Sequence, residues 1–146
     1  MLQRLTIVFF ALLITTSSFA QDAKIEVVKH NHVALHVKDI AASTKFYKEV
    51  MGLKSVAVPD SLKAIRSWFK LGTDQQIHLL AGRDFDVKND RNGSHFALFV
   101  TSIAAAEKYL TQHKMSFHKQ VRFDGAVQIY VADPDGYLIE LNEVKR

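Results

Sequence analysis

Cysteine is absent from this chain, which excludes disulfides, thiolate zinc sites, cysteine nucleophiles and iron–sulfur clusters. Proline occurs twice and glycine six times, against ten Phe, four Tyr and one Trp. That balance excludes a disordered or low-complexity chain. No run of basic residues stands out either. The 19 Lys and Arg exceed the 15 acids by four, but they are spread along the sequence without interleaved aromatics, so nothing points to nucleic acid. At 146 residues the chain has the length of one domain. What remains is a packed domain whose chemistry must run on histidine, carboxylates and a metal.

The first twenty residues read as a leader. Arg4 supplies a positive start, Leu5 to Ile14 is apolar apart from Thr6, and Ser18 and Ala20 are small residues where a signal peptidase reads. The apolar stretch is too short to span a bilayer, which takes about 20 residues. Cleavage before Gln21 would leave 126 residues with a net charge of +3, secreted or periplasmic, and free of the membrane. The remainder, 21–146, reads as a single domain.

That domain repeats itself. Set at an offset of 63, His32–Lys45 (HVALHVKDIAASTK) and His95–Lys108 (HFALFVTSIAAAEK) agree at eight of fourteen positions, where chance gives roughly one. Each copy opens with strand alternation and moves to a helical period. His32, Ala34 and His36 fall on one face of the first strand, with Val33, Leu35 and Val37 on the other. Asp39 caps a helix with Ile40, Phe46, Tyr47 and Val50 on its apolar face, ended at Gly52. Strands follow at Lys54–Val58, Ser67–Leu71 and Gln75–Leu80. In the second copy a strand at His95–Val100 precedes a helix capped by Ser102, then strands at Phe117–Phe123, Ala126–Val131 and Leu138–Asn142. Asp133-Pro134-Asp135-Gly136 is a turn signal. The fold class is therefore α+β, βαβββ twice, with module one at about 28–82, a polar linker at about 83–93 and module two at about 94–144.

Polar residues inside apolar strands mark the chemistry. His78 and Glu140 each sit near the end of their module's last strand, 46 residues after His32 and 45 after His95. Two modules related by a pseudo-twofold would bring His32, His78, His95 and Glu140 together. Three imidazoles and a carboxylate make a site for one divalent transition ion such as Zn, Fe, Ni or Mn. A cation would also offset the cost of burying Glu140. His36 should line the cavity without binding the ion, while His30, His113 and His118 lie outside the repeated positions and read as solvent-exposed. Arg66, Trp68 and Tyr130 are candidates for holding the substrate.

The segments NHVALHVKDIAASTKFYKEVMGL, QQIHLLAG, GSHFALFV and VADPDGYLIELNE resemble the vicinal oxygen chelate superfamily. That group includes glyoxalase I, extradiol dioxygenases, methylmalonyl-CoA epimerase, and the fosfomycin- and bleomycin-resistance proteins. The resemblance covers roughly His30 to Val144. It implies two βαβββ modules forming an open, eight-stranded barrel-like cup around a metal, often in dimers, so a homodimer is expected. It implies ligands at His32, His78, His95 and Glu140, although glyoxalase I typically carries an acid or Gln where His78 stands. The dioxygenases use the equivalents of His32, His95 and Glu140 with iron, and bleomycin-resistance proteins lack the ligands.

A divalent ion with open positions binds two neighbouring oxygens of a small molecule and stabilises charge developing on them. The expectation is an exported, metal-dependent, glyoxalase-like lyase or isomerase working through an enediolate-type intermediate. Glu140 or His78 would act as general base. The alternatives are an Fe(II) extradiol-type dioxygenase and a non-enzymatic small-molecule binder. Glutathione is mainly cytosolic, so export argues against a glutathione adduct as substrate. Histidine in place of an acid raises the charge of the site by one and favours anionic substrates.

Overall fold

Each half of the chain builds a strand, a helix and three further strands, as the repeat requires. The computed structural model describes residues 25–145, and the leader read from residues 1–20 lies outside them. Module one comprises β1 (His32–Val37), α1 (Ile40–Lys45), β2 (Lys54–Val56), β3 (Arg66–Leu71) and β4 (Gln75–Ala81). Module two comprises β5 (Phe96–Val100), α2 (Ile103–Gln112), β6 (Phe117–Val121), β7 (Val127–Ala132) and β8 (Leu138–Glu143). The strand orders are β1-β4-β3-β2 and β5-β8-β7-β6, each with its first pair parallel and the others antiparallel.

Local chemistry accounts for the boundaries. The Asp39 carboxylate accepts the Ala41 and Ala42 amides, at 2.9 and 3.0 Å, and so starts α1. A π-helical turn at Phe46–Val50 extends that helix and ends at Gly52, whose φ of +65° is the left-handed value glycine tolerates. The Ser102 hydroxyl accepts the Ala105 amide to cap α2, and Glu143 accepts the Ile103 amide. Two strands are shorter than the alternation predicts. β2 stops before Pro59, which opens a 3₁₀ turn, and β6 yields to a turn at Gly125.

Alternation gives each sheet two unlike faces. Leu35, Val37, Phe69, Ile77 and Leu79 pack under Phe46 and Tyr47, while Ile129, Val131, Ile139 and Leu141 pack under Ile103 and Leu110. The opposite faces carry the polar candidates. No strand of one sheet pairs with a strand of the other among the described residues, so the two sheets stay separate and the cup is open.

The modules share one apolar core and a Tyr109 hydroxyl donating to the Glu49 carbonyl at 3.3 Å, and their polar contact is the Asp133–Gly136 turn. Asp133 accepts the Asp135 and Tyr137 amides at 2.9 and 2.8 Å, which closes the turn, and also the buried Tyr47 hydroxyl at 2.9 Å. Burial pushes the Tyr47 hydroxyl well above its ordinary pKa, with the Asp133 charge adding to the rise. Asp135 accepts the Lys38 amide, the Ser43 hydroxyl and two nitrogens of Arg83. The Arg83 and Asp135 side chains are each only 3% exposed and lie 2.7 Å apart. Tyr137 completes the contact by donating to the His36 carbonyl at 3.0 Å and accepting the His36 amide at 3.2 Å.

Removing one member of a buried, hydrogen-bonded ion pair strands the other charge. Asp135→Ala should therefore cost about 3–5 kcal/mol in urea unfolding. A loss under about 1 kcal/mol, the size of an exposed pair, would show that the turn does not help to join the modules. Burial raises the Asp135 carboxyl, but Lys38, Arg83 and Ser43 outweigh it and hold the group below the ordinary value of 3.8. Its stabilisation is thus present above 3.8 and is lost as pH falls through the lowered value. Asp135→Asn should flatten that acid limb of the stability curve.

Candidate metal centre

Strand register carries the repeat through to the site. On module one's open face Ala34 pairs with His78, and His78 pairs with Trp68. On module two's open face Ala97 pairs with Glu140, and Glu140 pairs with Tyr130. The same row therefore runs across each sheet: alanine, donor, aromatic. His32 and His95 flank these rows two residues before the alanines.

In module one the His32 and His78 rings stack with centroids 4.3 Å apart, and Trp68 stacks on the far side of His78 at 4.8 Å. The Asn31 side-chain oxygen faces His32 Nδ1 at 2.6 Å, and the Gln76 side-chain oxygen faces His78 Nε2 at 2.9 Å. Those oxygens only accept, so they fix the tautomers and leave His32 Nε2 and His78 Nδ1 with their lone pairs free. Burial, and then the nearby His32 charge, lower the His78 pKa. Across the sheet this face also carries Arg66, Lys70 and Lys54, and no acid. Arg66 donates to the Ile65 carbonyl, and His36 bonds the Ala81 carbonyl at 3.1 Å.

In module two His95 Nε2 lies 2.9 Å from Glu140 Oε2, and His95 Nδ1 faces the Gly93 carbonyl at 3.1 Å. With Nδ1 donating, Nε2 and Oε2 direct lone pairs at one another, and a shared proton or a metal cation satisfies both. Glu140 is further held by Tyr130 donating to Oε2 at 2.8 Å and by Asn142 and Gln128 donating to Oε1. Burial raises the Glu140 pKa, but Asn142, Tyr130 and His95 outweigh it, so the group stays below its ordinary value. Tyr130 is pushed up to about 12 by burial and by the Glu140 carboxylate it faces.

These donors suit a divalent transition ion. Nitrogen and carboxylate ligands whose remaining atoms are tied to hydrogen-bonding partners are the usual arrangement around such ions. The 2.9 Å between His95 Nε2 and Glu140 Oε2 also matches a cis edge of about 3 Å on an ion with bonds of about 2.1 Å.

The structure gathers the four candidates as two pairs. Among the described residues no third His or carboxylate joins either pair, which differs from the convergence that a pseudo-twofold inside one chain would give. The reason lies in the fold: the modules touch through their shared core and the Asp133–Gly136 turn and not through their open faces. His30, His113 and His118 are exposed, as expected. His118 nonetheless pairs with Tyr130 across the sheet and bonds Arg91 at 2.6 Å, so it belongs to the edge of this face. Sequence reasoning missed Gln76, Gln128 and Asn142. Their signal was available as polar residues two positions from His78, Tyr130 and Glu140, on the same strand faces.

Comparison with known proteins agrees with this architecture. Virulence protein STM3117 of Salmonella typhimurium is 32% identical over 123 residues, covering 77% of this chain and 82% of that protein. The crystal structure of a glyoxalase family protein from Bacillus anthracis superposes with a TM-score of 0.69 at 27% identity, covering 84% of this chain and all of that one. Lactoylglutathione lyase from Agrobacterium tumefaciens shares the fold, with a TM-score of 0.63 at 22% identity over 82% of this chain and 96% of its own. The model of the Glyoxalase/Bleomycin resistance protein/Dioxygenase superfamily matches residues 29–141, from before β1 into β8, and the chain belongs to that superfamily.

Proposed function

We propose that the protein is an exported, metal-dependent lyase or isomerase of the glyoxalase type, acting on a small molecule with two adjacent oxygens. The carrying observation is the Glu140 carboxylate, drawn to His95 and fixed by Tyr130, Gln128 and Asn142. His32 and His78 from one module and His95 and Glu140 from the other would hold one divalent ion. Because a single chain keeps the two pairs apart, the partner pair would come from a second copy. The ion when bound would stabilise negative charge developing on the substrate oxygens.

The chain's own groups divide the remaining work. Glu140 is engaged at both oxygens and is suited to stay a ligand. His78 has one lone pair, at Nδ1 beside Trp68, so it would take a carbon-bound proton only on leaving the ion. Trp68 offers a flat wall for the substrate. Arg66, Lys70 and Lys54, on a face without acids, favour an anionic substrate. Tyr130 presents its ring edge to His95, with centroids 5.6 Å apart, and closes the other wall. Four protein ligands leave two places on a six-coordinate ion, enough for the substrate oxygens but not for dioxygen as well, which ranks lyase or isomerase chemistry above ring cleavage.

Three experiments test this. His95→Ala should lose most bound metal by elemental analysis, while His113→Ala keeps the parent content. Equal metal in both variants would remove the site. Mixing His32→Ala/His78→Ala protein with His95→Ala/Glu140→Ala protein should restore metal binding that neither has alone, whereas a site inside one chain would gain nothing. For the reaction, metal-loaded protein should exchange solvent deuterium into 2-hydroxy carbonyl or dicarbonyl compounds and leave catechols untouched under Fe(II). Oxygen uptake with catechols that survives His78→Ala, without deuterium exchange, would favour the dioxygenase.

A further inference from the structure

The row across module two's sheet does not end at Tyr130. In register it runs Ala97, Glu140, Tyr130, His118, and Arg91 from the inter-module linker closes it. Arg91 Nη1 lies 2.6 Å from His118 Nε2 and donates to the Gln120 side-chain oxygen at 3.4 Å. Both partners are neutral acceptors. The linker itself contains Asp84, Asp86 and Asp90, yet among the described residues Arg91 makes no ion pair. Both bonds use Nη1, so the edge formed by Nε and Nη2 keeps its two parallel N–H groups, the fork that matches a planar carboxylate.

Module one has no counterpart. At the position equivalent to His118 its outer strand carries Val56, paired with Trp68. The duplication therefore does not account for the His118–Arg91 arrangement, and only module two bears it. His118 stands two strands from Glu140, roughly 10 Å at the usual strand spacing. Tyr130 lies between as an aromatic floor, and Gln120 donates to both Tyr130 and Gln128 along the lower edge.

From this row we infer that Arg91 is a specificity-determining residue that reads a second, distal carboxylate on the substrate, with His118 and Gln120 as its positioning residues. The substrate class is a 2-oxo or 2-hydroxy acid whose vicinal oxygens lie at the Glu140 end and whose chain, about five carbons long, ends in a carboxylate at Arg91. The naming of the vicinal oxygens rests on the metal reading above; the carboxylate site at Arg91 stands on its own geometry.

The test compares 2-oxoglutarate with pyruvate, which has the same chelating end and no distal carboxylate. By calorimetry on manganese-loaded protein, 2-oxoglutarate should bind about tenfold more tightly, the size of one charge-assisted pair. Arg91→Gln should erase that preference without changing pyruvate affinity or metal content, and Arg91→Lys should recover only part of it. A preference that persists in Arg91→Gln, or is absent from the parent, overturns the inference. On metal-free protein, glutarate should shift the Arg91 Nε–H and His118 side-chain NMR signals, and the His118 shift should vanish in Arg91→Gln. No shift overturns the carboxylate site whatever the metal does. A shift in a protein that takes up no metal upholds it while refuting the chelation reading.

Discussion

One buried turn ties together two modules within which strand register positions each polar candidate. Asp133 and Asp135 stand two residues apart; Asp133 accepts hydrogen bonds from both modules, and Asp135 reaches from module two to accept those of Lys38, Ser43 and Arg83. The open sheet faces are poor at joining modules, because they are polar and their donors must stay reachable. The turn takes that task away from them. A charge pair as buried as Arg83 and Asp135 is expensive to desolvate and is weak evidence of stability in itself. What it provides is register: Arg83 satisfies its nitrogens only when Asp135 is seated beside β1, whose Val37 carbonyl accepts the Arg83 amide. Held at that corner, neither sheet has to bury its polar face to stay attached.

The fold was legible because duplication is visible at the level of identical residues. Once His32–Lys45 and His95–Lys108 align, strand alternation assigns every polar residue to a face, and the parallel pairs β1–β4 and β5–β8 follow from the crossover. His32, His78, His95 and Glu140 were legible for the same reason: each stands where its module's copy also has a polar residue. Their failure to gather in one chain was not legible. Alternation says which face a side chain takes, and nothing about which other face it meets. Asp133-Pro134-Asp135-Gly136 shows the same limit. Its composition reads as a turn, but its role depends on Tyr47, Ser43 and Arg83, between 52 and 92 residues away.

The two open faces share a plan and differ in charge. Module one presents three imidazoles, Arg66 and two lysines; module two presents Glu140 with His95, His118, amides and a phenol, and Arg91 at the edge. Lys54 and Lys70 stand directly opposite one another across β2 and β3, an unfavourable pairing for the sheet alone. Such a face gains from meeting an anion or an acid-bearing face, and under the proposed pairing the Glu140 face of a second copy would supply one. Complementarity of this kind guides encounter and orientation more than it adds affinity.

The substitution that separates this chain from the glyoxalase I pattern is a histidine at position 78, and its surroundings explain how it is tolerated. An acid there would lose the stacking that an imidazole makes between Trp68 and His32 at 4.8 and 4.3 Å. Gln76 orients it from the same strand at 2.9 Å. With His78 neutral, a divalent ion held by three imidazoles and one carboxylate keeps a net single positive charge, where two carboxylates would cancel it. A site charged in that way holds anionic oxygens more strongly. It leaves less charge in the ligand set to assist proton removal, which moves that burden onto a group with a free lone pair. His78 Nδ1 would be such a group once released from the ion, so the residue that alters the charge of the site would also be the one to supply its base.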